Sequence, residues 1–235
     1  MNILITGVHG FVGSNLVKAL VPEHTIFGLD IVAPKKEGVK KTFFWEDLPS
    51  TNLGQTQLLD FPKIDAIIHL AGKAHDTRNK STADVYFRVN TGLTQRIFDW
   101  FLTSKSAKKF IFFSTVKSAA DRVEGEFLTE ECVPTPVGPY GESKIKAEDY
   151  IIGHFAPEAL ERPYHNFNDS DSIIKDKQVY IMRPCMIHGP GNKGNLNLLY
   201  GVVSKGIPWP LGAFENRRSF TSIGNLCVVI DGFLT

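Results

Sequence analysis

No run of about eighteen or more apolar residues occurs in this chain, so no stretch of it is built to span a bilayer as a helix. There is no excess of charge of either sign: 26 Lys and Arg stand against 25 Asp and Glu, a net charge of +1. Such a balance creates no global field toward nucleic acid or an anionic membrane. Cysteine is scarce. Its three copies, Cys132, Cys185 and Cys227, are odd in number and far apart, which fits reduced packing thiols in a cytosolic protein and not a disulfide framework. The opening "MNILITG" has no basic n-region or cleavage site, so no signal peptide is expected and the cytoplasm is the expected location. Internal repeats and low-complexity tracts are also missing.

What is present is ordinary globular material: 235 residues, 43% hydrophobic and 22% charged, enough for one sizeable core and one or two domains. Short apolar runs at 2–6, 25–30, 41–45, 65–71, 109–115 and 179–183 are rich in β-branched and aromatic residues. They read as strands buried on both faces. Helix-like segments at 11–21, 84–104 and 140–155 lie between them, and strand alternating with helix predicts a parallel sheet with right-handed crossovers. Residues 156–178 are polar and aperiodic, and read as a surface excursion. From Gly189 onward the chain is rich in glycine, proline and asparagine, which suits a loop-rich lobe over a sheet edge. The expected architecture is α/β: a Rossmann-type doubly wound parallel sheet over 1–183, with a small, truncated C-terminal substrate lobe over 184–235.

Between the first strand and the first helix, "ITGVHGFVGSNL" places Gly7, Gly10 and Gly13. Glycine there permits a tight turn, close approach of backbone to a pyrophosphate, and close packing of helix on strand. The N–H groups of Phe11 and Val12 then open the helix toward an anion. Asp30 ends the second strand, where an acid accepts from adenosine ribose hydroxyls. Its carboxylate would repel a 2′-phosphate and no arginine follows it, only Lys35 and Lys36, so NAD is favoured over NADP.

"PYGESKIKAE" carries Tyr140 and Lys144, one helical turn apart on a shared face. An ammonium beside a phenol favours the phenolate and so suits the tyrosine to proton transfer near neutral pH. Some twenty-five residues earlier, Ser114 and Thr115 end an apolar strand.

With these motifs together, the chain resembles the extended short-chain dehydrogenase/reductases, the NAD-dependent nucleotide-sugar epimerase/dehydratase family. The resemblance runs through "TGVHGFVG" (6–13), Asp30, "HLAG" (69–72), "VN" (89–90), "FFST" (112–115), "YGESK" (140–144), "RPCMIHGPG" (183–191) and "RRSFTSIGNL" (217–226). It implies that the glycine loop and Asp30 hold NAD and that Asp47 and Leu48 meet the adenine. Ala71, Gly72 and Asn90 would line the dinucleotide cleft, and Lys144 would also bond the nicotinamide ribose. Thr115 falls on the catalytic serine/threonine beside Tyr140. Arg218, or Arg217 after a one-residue slip, falls on the arginine that pairs with the substrate diphosphate. Asn195 and Leu196 lie near the diphosphate and sugar, and Cys185 and Met186 face nicotinamide and sugar, although an asparagine is frequent where Met186 stands. The resemblance further implies a homodimer through helices 84–104 and 140–155. Family members continue beyond the "SIGNL" motif, whereas this chain stops at Thr235 in what reads as a helix.

The residues after Thr115 discriminate within the family. Sugar 4,6-dehydratases follow their threonine with an acid pair, and here Val116 and Lys117 stand instead. A valine moves no proton, which disfavours dehydration. The expected function is an NAD-dependent 4-epimerase acting on a nucleoside-diphosphate sugar, a UDP-sugar favoured. The alternatives are an NAD(P)H-dependent 4-keto-sugar reductase and, further off, a non-catalytic NAD-binding sensor. The "STVK" form also resembles a subgroup serving bacterial surface polysaccharides. His69, His75 and His188 show no metal-ligand spacing; His69 reads as a core histidine and no metal is expected.

Overall fold

The computed structural model describes residues 1–49, 61–74, 82–123, 125–130, 132–161, 171–192, 195–206 and 218–235. β1 (Asn2–Thr6), β2 (Thr25–Leu29), β3 (Val39–Phe43), β4 (Ala66–His69), β5 (Lys109–Phe113) and β6 (Gln178–Met182) form one six-stranded parallel sheet in the order 3-2-1-4-5-6. β7 (Met186–His188) and β8 (Phe220–Ser222) form a separate parallel pair. The strand order reverses between β1 and β4, and ligands of open α/β sheets bind at the carboxyl ends flanking such a point.

Side chains alternate across this sheet and feed two cores. Leu4, Phe110 and Phe112 enter one layer with α3 (Leu93–Thr103) and α4 (Gly138–Phe155). Ile3, Ile5, Ile111 and Phe113 enter the other with α1 (Phe11–Leu20) and α6 (Ile223–Leu234). Phe98, Phe101, Phe110, Phe112 and Phe155 are fully buried, each contributing about 1.5–3 kcal/mol by leaving water. The hydrophobic order of these runs, with apolar residues pointing both ways, is what a sheet covered on both faces requires. α6 lies beyond residue 183, yet Ile223, Leu226, Ile230 and Leu234 pack into the sheet's second layer, so the core draws on both sides of that boundary.

Three elements differ from the sequence expectation. β3 is an edge strand and is not buried on both faces; its middle residues Lys40 and Lys41 are exposed, a common protection of edges. It also ends at Phe43, because Phe44 N donates to Asp47 Oδ2 at 2.8 Å and turns the chain into a 3-10 helix over Trp45–Asp47. The helix expected over 84–104 is α2 (Ala83–Tyr86) followed by a π-helical segment, Phe87–Gly92, and then α3. Within the stretch read as loop-rich, α5 (Asn195–Val203) forms a helix. Its sequence "NLNLLYGVV" is mostly apolar, and Gly201 within it, together with the glycines and prolines around it, gives the stretch the composition of a loop. Part of the polar excursion, 162–170, and the segment 207–217 lie outside the described residues.

Candidate active site

At the end of β1 the backbone turns at Gly7 with φ +67, a conformation that side chains rarely adopt. A Cβ at Gly13 would stand 2.6 Å from Gly7 O and 2.9 Å from Val8 Cα, so only glycine lets α1 sit this close to the turn. Helix α1 begins at Phe11 with Gly10 as its cap and no side-chain capping bond, leaving the first-turn N–H groups of Phe11 and Val12 for an anion. Asp30 closes the turn from the far side: Oδ2 accepts from His9 N at 3.2 Å and Oδ1 from Ile31 N at 2.8 Å. Of the two lysines that follow, Lys36 has Nζ 2.7 Å from Ser14 Oγ. Asp47 lies in the 3-10 turn and Leu48 is buried just after it. The cradle fits a dinucleotide, since a glycine turn, an uncapped helix start and a carboxylate converge on the switch point.

A buried chain of polar groups ties this turn to the next strand. Thr6 Oγ1 accepts from Leu70 N at 3.1 Å and from Ala71 N at 2.9 Å, and lies 2.7 Å from His69 Nδ1. With its lone pairs so occupied, the Thr6 hydroxyl donates to Nδ1, which assigns the His69 proton to Nε2. His69 Nε2 then donates to Thr94 Oγ1 at 2.9 Å, and Thr94 donates to Asn90 O at 2.6 Å. Only a neutral imidazole satisfies this order, and burial with the nearby Lys144 charge holds His69 well below its ordinary value. His69 is thus a satisfied core histidine. The hydrogen-bonded series fixes Ala71 at one end and Asn90 at the other, and Asn90 lies directly against the Gly72–Lys73 backbone, where a Cβ at Gly72 would stand 3.0 Å from Asn90 Oδ1. Asn90 itself sits in the π turn, fully buried, where Oδ1 accepts from Lys73 N at 2.6 Å and Nδ2 donates to Ser143 Oγ at 2.9 Å.

The three reacting candidates come together as expected from sequence. Thr115 caps a 3-10 turn over Val116–Ser118, is buried, and hydrogen-bonds the Tyr140 side chain. Tyr140 and Lys144 share the inner face of α4, and the Tyr86 ring meets the Tyr140 ring edge-on at 6.5 Å. Gly141 lets α4 lie close against the 3-10 turn that follows Thr115, since a Cβ there would lie 2.4 Å from Lys117 O. Lys144 Nζ donates to Phe113 O at 2.7 Å, and burial lowers its pKa to about 8, with Glu148 acting in the opposite direction. The expectation that Lys144 lowers the Tyr140 pKa is corrected. Burial dominates and raises it, the Thr115 hydrogen bond pulls it back in part, and the Tyr86 phenol adds to the rise. Lys117 turns outward and pairs with Asp121 at 2.6 Å, both side chains well exposed, a contact of small energetic weight.

Sequence reasoning missed a buried cluster beneath Thr115. Glu148 is fully buried. Its Oε2 accepts from Arg183 Nε at 2.9 Å, and its Oε1 accepts from Ser118 Oγ at 2.6 Å and from Ser114 Oγ. Ser114 therefore serves a different purpose from its neighbour: successive residues of the strand end point to opposite sides, one to this carboxylate and one to Tyr140. The available signal was the spacing of Tyr140, Lys144 and Glu148 at four-residue steps, which puts a second charge on a buried helix face.

Of the residues expected to meet substrate, Cys185 has Sγ 3.0 Å from Thr221 Oγ1, and Met186 pairs with Phe220 in the small sheet. A cavity of about 210 Å³ beside them is lined by Met182, Arg183, Pro184, Thr221, Asn225, Leu226 and Val229. Asn195 opens α5 with its side chain outside the described residues, and Leu196 is half-buried. Arg218 is exposed just before β8, while Arg217 and His75 lie outside the described residues. Among the described residues, no group of three or more His, Cys, Asp or Glu is placed to hold a metal. No helix among them is long and apolar enough to cross a membrane.

Comparison with known proteins bears on the fold and the family. The chain is 31% identical over 241 residues to a UDP-glucose 4-epimerase of Vibrio cholerae, an alignment covering 97% of this chain and 65% of that protein. It shares its fold with the structure of UDP-glucuronic acid 4-epimerase from Bacillus cereus in complex with UDP-glucuronic acid and NAD, at 23% identity and a TM-score of 0.69, covering 100% of this chain and 73% of that one. DesIV, a dTDP-glucose 4,6-dehydratase from Streptomyces venezuelae with NAD and TYD bound, superposes with a TM-score of 0.70 at 24% identity, covering 100% of this chain and 72% of that one. The chain thus spans somewhat under two thirds of the length of its Vibrio relative, and both epimerases and dehydratases stand among its neighbours. Residues 3–207 match the model of the NAD dependent epimerase/dehydratase family, to which this chain belongs and from which it takes NAD as its cofactor.

Proposed function

We infer that the protein is a nucleotide-sugar 4-epimerase, oxidising and re-reducing C4 of a UDP-sugar. The observation that carries the reading is the meeting of Thr115, Tyr140 and Lys144 at the carboxyl end of β5, with Val116 and Lys117 in place of an acid pair. Tyr140 takes the C4 hydroxyl proton and later returns it. Thr115 holds the same oxygen through its hydroxyl. Lys144, one turn along α4 and held by Phe113 O at 2.7 Å, is the group we assign to the nicotinamide ribose beside the reacting tyrosine. Gly7, Gly10, Phe11, Val12, Gly13, Asp30, Asp47, Leu48, Ala71, Gly72 and Asn90 hold the cofactor, which when bound supplies a reversible hydride acceptor. With hydride drawn from C4 and the proton from its hydroxyl, no group next to Thr115 is required to work at C5 or C6, and neither Val116 nor the Asp121-paired Lys117 is suited to do so.

UDP is the nucleotide carried by the substrate of the Vibrio relative. Arg218, Asn195 and Leu196 are the groups we assign to the diphosphate, and Cys185 and Met186 to the sugar face. The protein is further read as a cytoplasmic homodimer, joined through the 84–104 and 140–155 helices, in surface-polysaccharide biosynthesis.

The test is incubation with UDP-, GDP- and dTDP-sugars, NMR of the products and spectroscopic monitoring of cofactor redox state. Epimerisation without net cofactor turnover is expected, and Tyr140→Phe should reduce it by about 10²–10⁴-fold while NAD affinity is kept. Stoichiometric consumption of NAD(P)H would identify a 4-keto-sugar reductase instead. Unchanged turnover in Tyr140→Phe would overturn the mechanism, and NAD binding without turnover of any sugar would leave a sensor.

A further inference from the structure

The carboxylate of Glu148 is fully withdrawn from water, and a buried ion pair seldom stabilises a fold more than well-packed apolar residues of the same volume. Its location gives it another use. The pair joins the three chain segments on which the site is built: the end of β5, helix α4 and the end of β6. Ser118 Oγ lies 2.6 Å from Glu148 Oε1 and 2.7 Å from Thr115 O, so its single proton is shared between the carboxylate and the residue that positions the substrate oxygen. Ser114, next to Thr115, donates to the same oxygen of Glu148. On the other side, Arg183 gives two N–H groups to Oε2, at 2.9 Å and 2.5 Å. Its segment is in turn stitched to the Thr115 turn, through Ser114 N to Met182 O at 2.8 Å and Val116 N to Pro184 O at 3.2 Å.

We propose that Glu148 is a positioning residue of this site, one carboxylate that fixes the Thr115 turn through Ser114 and Ser118 and sets the charge one helical turn from Lys144. The proposal rests on the reading of Thr115, Tyr140 and Lys144 as the reacting groups. Burial lowers Lys144 to about 8, and Glu148 is the group that works against this. The other titratable or charged groups around Lys144 are Tyr140 on its own helix, His69 from β4, Arg183 after β6, Lys117 in the 3-10 turn, and Tyr86 of α2 with Lys73 against its ring. His69 is held neutral, Arg183 is directed to Glu148 and Lys117 to Asp121, so Glu148 is the anion that faces this ammonium.

Two readouts test the two halves. In full-length chain labelled at the lysine ε-carbon, with Lys144→Arg to assign the resonance, NMR titration of Glu148→Gln is expected to move the Lys144 midpoint to lower pH. Ser118→Ala keeps the charge and should leave that midpoint in place. In turnover of the sugar, both variants are expected to lower kcat by about tenfold or more, as misplacement of a positioned group does, with little change in KM. If Glu148→Gln does not fold, Glu148→Gln/Arg183→Met removes the unpaired guanidinium as well and is expected to show a midpoint still lowered, though by less, because a more distant cation has left with the anion. An unmoved Lys144 midpoint in the folded single or double variant overturns the proposal, as does a Ser118→Ala enzyme with wild-type kcat. The titration needs no turnover, so a wild-type protein inactive on every sugar would refute the epimerase reading while the NMR result still decides the role of the Glu148 charge.

Discussion

Replacing Thr6 by valine preserves its shape and removes one hydroxyl, and the structure says what that hydroxyl holds. Thr6 and His69 are fully buried, and Thr6 Oγ1 serves Leu70 N at 3.1 Å, Ala71 N at 2.9 Å and His69 Nδ1 at 2.7 Å. Valine leaves two backbone donors and one imidazole nitrogen without the partner that they have in Thr6. At about 1 kcal/mol for each hydrogen bond, the loss is about 3 kcal/mol. For a chain of this size that lowers Tm by roughly 6–12 °C. Thr6→Ser, which keeps the oxygen, should lose only a methyl group and serves as the control. Because Leu70 N and Ala71 N anchor the segment we assign to the dinucleotide, NAD affinity should weaken in valine and not in serine. Calorimetric melting of both variants, with NAD titrated by isothermal calorimetry, measures the two effects. A Thr6→Val protein that melts with Thr6→Ser and binds NAD as well would refute the hydrogen-bond order deduced for Thr6, His69 and Thr94.

His69, held neutral well below its ordinary value, gains its proton more readily in the unfolded chain. Stability should therefore rise with pH up to about 6.5 and fall as pH drops through the interval below it, by at most about 1.4 kcal/mol per pH unit; urea unfolding at several pH values should show this slope reduced in His69→Gln. At Gly13, an added Cβ meets backbone at 2.6 Å and 2.9 Å, whereas at Gly10 the nearest atom stands at 3.2 Å. Gly13→Ala is thus expected to cost about 1–3 kcal/mol and to weaken NAD binding, with Gly10→Ala milder in both, as melting curves and NAD titration would show.

The fold was legible because the hydrophobic runs and the glycine turn agree. Runs such as "KFIFF" alternate between two cores, which a sheet covered on both faces demands, and "TGVHGFVG" marks the turn that sets strand against helix. Thr115, Tyr140 and Lys144 were legible for a different reason, because their residue types carry chemistry and their spacing puts two of them on one helical face. What sequence did not yield was pairing across distance. Glu148 and Arg183 stand thirty-five positions apart, and no local periodicity says that a carboxylate on α4 meets a guanidinium after β6. The direction of the Tyr140 shift was misjudged for a related reason. Proximity to Lys144 can be read from spacing, but the depth of burial that outweighs it depends on what packs around the phenol. β3 was overextended because "FFW" looks strand-like, while the Asp47 side chain that stops it acts from three residues ahead.

The π turn over Phe87–Gly92 bears on how this chain tolerates changes in length. Its wider ring holds one residue more than an α turn would, which lets Asn90 reach Lys73 and Ser143 while Thr91 reaches Ser143 O at 2.8 Å. Deleting the extra residue would close this wide turn to α register and leave α2 and α3 in phase, whereas one residue fewer in the regular turns on either side would rotate α2 by about 100° against α3. Tyr86, which meets Tyr140 edge-on, would in the second case be carried away from it. Within this helix the wide turn is therefore the place where a change of length is absorbed, at the expense of the Asn90 contacts that the extra residue makes possible.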